Sequence, residues 1–200
     1  MCYSLTMEIK KEQITGGIHM KALNKVTRIL ARILEIAHIV GVGIFAVMLV
    51  CCIFAPNLAE KMIAGDPTGG DVVYGFHFTL TNASGAIDRA SLTVFAVAGV
   101  ILLGLMALVF RNVYRIIKTS EGGSPFRPEV IVMLRRIGYY AIAVPVVGLV
   151  MSIVGRLAVG PEFAETSVDF GGVFMGLLVL WLTQAFTHGA KLEQDSEGLI

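Results

Sequence analysis

Glu35 and His38 stand three residues apart inside an apolar run, and His188 stands where a later apolar run ends. A carboxylate and an imidazole one helical turn apart share a face, and together they can hold a cation or pass a proton. Ionisable groups within an apolar run are costly and often functional. Three readings follow. The leading one is a structural polar cluster in which Glu35 pairs with Arg28, Arg32 or Arg111. The second is a proton- or signal-sensitive switch, since imidazole titrates near neutrality. The third is a metal or haem site, but Glu35, His38 and His188 leave zinc short of ligands, and His38 with His188 is the one histidine pair to consider for haem. No metal, cofactor or catalytic residue is assigned.

Other reactive side chains are read as structural. His77 alternates with aromatic residues and is expected to face water. Cys51 and Cys52 are adjacent, point to different faces of a helix, and are expected to pack or face lipid. With Cys2 they form no spaced framework for disulfides. A Gly-rich phosphate loop, a nucleophile elbow, His-Glu-x-x-His and Cys-x-x-Cys are all missing from the sequence. The expectation is a protein that is not an enzyme.

The second group of interest is cationic. Arg111, Arg115 and Lys118 fall at i, i+4 and i+7, on one face of a helix, and Arg135 and Arg136 follow after a Gly122-Gly123 break. These five are candidates for contact with a partner or with a membrane surface.

The elements that position these residues are set by hydropathy. The 200 residues are 56% hydrophobic and only 16% charged, with mean hydropathy +0.77. That balance excludes an ordinary soluble domain, in which about a quarter of residues are charged. We expect an all-α membrane protein, a four-transmembrane-helix bundle with spans at about 33–55, 90–110, 137–159 and 170–187. Each is near the roughly 20 residues needed to cross about 30 Å of hydrocarbon.

In the loop after the first span, Tyr74, Phe76, Phe78 and Leu80 alternate with smaller or polar residues. This period of two predicts a small extracytoplasmic β element. Asp88 suits the N-cap of the second span. Pro128 suits the first position of the next helix, with Arg127 a poor cap before it. Pro145 is expected to kink the third span, and Arg156 near its end to snorkel or to pair with Glu162, Glu165 or Asp169. Gly172 and Gly176 make a small-xxx-small pair, read as packing within the bundle ahead of a homo-oligomer seam.

Residues 1–19 are mixed and polar and read as an N-terminal extension, either disordered or preceding a natural start at Met20. Residues 20–200 then form a single four-helix domain. Thirteen of the 16 cations lie in the N-terminal segment, the middle connector and the C-terminal tail. The other side has Lys61, Arg89 and Arg156. The positive-inside rule therefore predicts a multi-pass membrane protein with both termini cytoplasmic.

The stretch GGSPFRPEVIVMLRRIGYY and the tail FTHGAKLEQDSEGLI carry a resemblance. Gly123, Pro125, Phe126, Glu129, Leu134, Arg135, Ile137 and Gly138 in the first, with Gly189, Ala190 and Leu192 in the second, are similar to the bacterial four-helix membrane proteins grouped as domain of unknown function 2975. Val130 and the ending Asp195 to Ile200 depart from that pattern. The resemblance implies a four-helix architecture with no established activity, and a small helix-turn-helix transcription regulator as candidate partner, so that the chain itself would not bind nucleic acid.

These readings lead to an expected role as a regulatory or sensory membrane protein acting through a cytoplasmic partner. A transporter or channel subunit is the alternative, and would need Thr93, Ser152, Thr183 and Gln184 on a shared path. A haem- or quinone-linked redox protein comes third.

Overall fold

A computed structural model describes residues 2–55, 70–74, 76–80, 88–120, 126–161, 163 and 170–197. Four helices account for most of them: α1 (Cys2–Phe54), α2 (Arg89–Ser120), α3 (Pro128–Ala158) and α4 (Phe170–Glu197). All four contain segments long and apolar enough to cross a membrane, at Leu23–Phe54, Arg89–Ser120, Pro128–Ala158 and Phe170–Asp195. At 1.5 Å per residue, the 32-residue segments of α1 and α2 are each about 48 Å long. They therefore outrun the hydrocarbon core and carry their terminal cations beyond it. Residues 2–19 are helical and continuous with the rest of α1.

Helix ends follow local chemistry. Asp88 caps α2, its Oδ2 accepting from the Ser91 amide and the Ser91 hydroxyl, both at 2.8 Å. At the start of α3, Arg127 occupies the N-cap without a side-chain bond and Pro128 takes the first turn, where its missing N–H costs nothing. The helix continues through the buried Pro145 to Ala158.

The helices pack in sequence order, α1 along α2, α2 along α3 and α3 along α4, so α1 and α4 form the two ends of a row. Exposed apolar side chains cover those end helices, including Ile33, Val40, Val47 and Ile53 on α1 and Phe174, Leu178 and Trp181 on α4. In lipid such faces need no further cover, and helices associate by close packing.

Glycines set that packing. Phe45 of α1 lies against Gly99 of α2, where an added Cβ would come within 2.1 Å of the ring. Gly138 of α3 and Gly176 of α4 face each other, and a Cβ on Gly176 would lie 3.0 Å from the Gly138 carbonyl oxygen. Gly176 is thus used inside the chain, at the α3–α4 crossing.

Between α1 and α2, strands β1 (Gly70–Val73) and β2 (Phe76–Thr79) pair antiparallel, with Val73 opposite Phe76. The hairpin lies against α2 and α3. Phe76, Phe78 and Leu80 are buried, whereas His77 is exposed. Phe76 fills the space over Gly148 of α3, where a Cβ would lie 1.9 Å from its ring. Phe78 meets Phe95 of α2 and Phe163, with ring centroids 5.5 and 5.7 Å away. The Thr79 amide donates to the Phe163 carbonyl at 2.6 Å. These contacts build the core from Met48, Cys52, Leu92, Phe95, Leu102 and Val144 around the hairpin.

Candidate functional site

The site lies where α1, α2 and the hairpin tip meet. Arg32, Glu35 and His38 recur every three residues on α1, and Phe110 and Tyr114 are one turn apart on α2. Because the two helices are antiparallel, His38 meets Phe110, with centroids 5.0 Å apart, while the Arg32 guanidinium lies 5.3 Å from the Tyr114 ring centroid.

Glu35 is 4% exposed, and its Oε2 accepts from Arg32 Nη1 at 2.7 Å. The pair is asymmetric, since the arginine side chain is half exposed and the carboxylate is not. Arg32 thus satisfies a buried anion from the surface and places its cationic face over Tyr114, an arrangement favoured by the ring quadrupole.

His38 is held at both nitrogens. Nδ1 lies 2.7 Å from the Leu34 carbonyl oxygen, which can only accept, so Nδ1 carries a hydrogen. In the neutral ring Nε2 is then an acceptor, and the Tyr74 hydroxyl donates to it. The two rings stack at 22°. Tyr74 sits at the hairpin tip with φ of 50°, the left-handed region that a residue with a Cβ enters at a cost of about 1–2 kcal/mol. Burial pushes its phenol up to about 12, so the hydroxyl keeps its proton across the neutral range.

Glu35 and His38 share a helix face but have separate partners, Arg32 for one and Tyr74 for the other. His188 does not join them: it is exposed near the end of α4, a helix packed on α3. Among the described residues no three His, Cys, Asp or Glu side chains are grouped so as to hold a metal ion. The arrangement can carry a proton on His38 and can link the hairpin to α1.

The remaining polar side chains of the helices are mostly satisfied locally. Thr93, Asn112, Thr183 and Thr187 bond carbonyls four residues back on their own helices. Ser152 Oγ is fully buried, with no hydrogen-bond partner among the described residues. Thr93, Ser152 and Thr183 lie on three different helices, and Gln184 is exposed. Cys52 is buried and Cys51 half-buried.

The cations Arg111, Arg115, Lys118, Arg135 and Arg136 are all exposed. Of the positions that carry the sequence resemblance, Gly123 and Pro125 fall outside the described residues. Glu129 is exposed in the first turn of α3 and Leu192 is exposed on α4. Gly138 is buried at the α3–α4 crossing. Phe126 and Gly189, 63 positions apart in the sequence, are brought together: Phe126 packs on Phe186 with centroids 5.5 Å apart, and a Cβ on Gly189 would come within 2.7 Å of its ring.

Sequence reasoning missed Tyr74, Phe110 and Tyr114 as parts of the site. The alternation around Tyr74 marked a strand but held no signal that the strand tip would reach α1.

Comparison with protein-family models, with curated proteins and with solved structures finds no match.

Proposed function

We propose that this chain is a non-enzymatic sensory or regulatory protein of a bacterial plasma membrane, in which the hairpin loop and the polar cluster on α1 act as one unit. The observation that carries the reading is the Tyr74–His38 hydrogen bond, which ties a loop between two spans to an ionisable residue within a span. Movement of the hairpin changes what His38 is bonded to, and a change in His38 protonation changes how the hairpin tip is held. The cation distribution supports cytoplasmic termini and a loop that enters from the opposite side, with its hairpin tip reaching between the spans to His38. In that orientation an event outside reaches α1 and α2, whose far ends bear the basic residues.

The partner end of this reading rests on Arg135 and Arg136, exposed at the start of α3, and on the α4 tail beyond Gly189. Phe126 clamps that tail helix near its end. A cytoplasmic protein is the proposed target, with a small helix-turn-helix regulator as candidate through the resemblance to domain of unknown function 2975. A second copy of the chain is the other candidate.

The test is photo-crosslinking in native membranes from a probe at Glu129, which is exposed in the first turn of α3 and present in every variant. It compares the wild type with Tyr74→Phe, with Arg135→Ala plus Arg136→Ala, and with a chain ending at Gly189. A specific adduct that changes in Tyr74→Phe and is lost in the other two supports the proposal. Solute flux through vesicles containing the purified chain, with no adduct, would instead establish the transporter alternative.

A further inference from the structure

We infer that the α1–α2 edge binds an anionic phospholipid, with Lys25, Arg111, Arg115 and Lys118 around its headgroup and the exposed apolar face of α1 along its acyl chains. The inference goes beyond the proposed signalling role and needs no assumption about which side of the membrane this end occupies.

The basis is the helix register. Gly41 meets Leu103, His38 meets Phe110 and Arg32 meets Tyr114, so moving one residue along α1 moves about one residue back along α2. Extending the seam by one turn sets Arg28 level with Lys118, and Arg115 falls level with Arg32. Two cation rows at least 79 positions apart in sequence thus become one band. Lys25 to Arg32 and Arg111 to Lys118 each cover about 10 Å along the helix axes, a depth comparable to a headgroup layer.

Residues 23–35 and 108–120 contain six cations and a single acid, Glu35. That acid is buried and bonded to Arg32, so it is not the counter-ion of Lys25, Arg111, Arg115 or Lys118. The residues that follow on α1 expose Ile36, Ile39, Val40, Ile44 and Val47. A surface that is cationic at one level and apolar immediately beside it matches a molecule with a phosphate at one end and acyl chains at the other. A soluble anion would satisfy only the first half, which is why the lipid is the assigned occupant.

Native mass spectrometry of the full chain in neutral detergent, titrated with phosphatidylglycerol or phosphatidylcholine, tests this directly. Phosphatidylglycerol should be retained preferentially and should raise the melting temperature, whereas inorganic phosphate at equal concentration should do neither. Arg111→Gln plus Arg115→Gln should weaken phosphatidylglycerol retention about twenty-fivefold, from about fivefold per cation removed. Lys25→Gln plus Lys118→Gln should weaken it comparably, giving an independent reading if the first variant is poorly folded. Arg135→Gln plus Arg136→Gln, on α3, should leave retention unchanged. Equal retention of the two lipids, an equal effect of inorganic phosphate, or equal losses from the α3 variant would overturn the inference.

Discussion

Tyr74 and His38, 36 residues apart in the chain, share a hydrogen bond that fixes the tip of the β-hairpin to the side of α1. Leu34 holds the other ring nitrogen, so the imidazole is oriented from within its own helix. The bond therefore joins a fixed group on a helix to a group held in the left-handed backbone region on a turn.

Tyr74→Phe keeps the ring and deletes the donor, leaving Nε2 of His38 without this hydrogen-bond partner. The expected loss is about 1 kcal/mol of stability. Chemical unfolding in detergent would measure it, and amide exchange in β1 and β2 should accelerate more than exchange in α4.

Alkaline pH should act through the same residue. The phenol is raised from 10.0 to about 12 in the folded chain by burial, so folding favours its protonated form. The associated stability is complete below pH 10, falls as the unfolded-state phenol ionises, and is lost by about pH 12. Melting temperatures from pH 9 to 12 should fall further for the wild type than for Tyr74→Phe, and equal slopes would refute the assignment.

Arg32 and Glu35 should not be equivalent in mutation. Arg32→Ala leaves a carboxylate buried and unpaired, a loss expected to cost about 3 kcal/mol. Glu35→Gln leaves an arginine that is already half exposed and can return to water, so about 1 kcal/mol is expected. Unfolding of the two single variants and the double variant would measure both the asymmetry and the coupling.

Gly148→Ala should loosen the hairpin, because the new methyl would occupy the place of the Phe76 ring. Overpacking of this kind costs about 1–3 kcal/mol. Gly43→Ala is the matched control: nothing lies within 4 Å of its added Cβ, and alanine is the better helix former by about 1 kcal/mol. Labelling of a cysteine placed at the exposed His77 should be faster in the first variant and unchanged in the second.

The four helices were legible because hydropathy is summed along a local stretch, and lipid rewards that sum wherever the stretch lies. The Asp88 cap and the uncapped Arg127–Pro128 start were legible for a similar reason, each depending on a few neighbouring residues. The candidate site was legible only in part. Spacing placed Glu35 and His38 on one helix face, and the position of Arg32 one turn before Glu35 made their ion pair available.

The sequence by itself thus determined the apolar helices, their cationic ends and the face shared by Glu35 and His38, since each depends on chain-local periodicity. Tertiary structure decided that His188 stands apart from them, that Phe126 meets Gly189, and that Tyr74 reaches His38. These outcomes depend on which glycine accepts which ring across a seam, where Phe76 fits Gly148 and Phe45 fits Gly99. Such complementarity is a property of pairs of surfaces distant in the chain, and no local pattern encodes it.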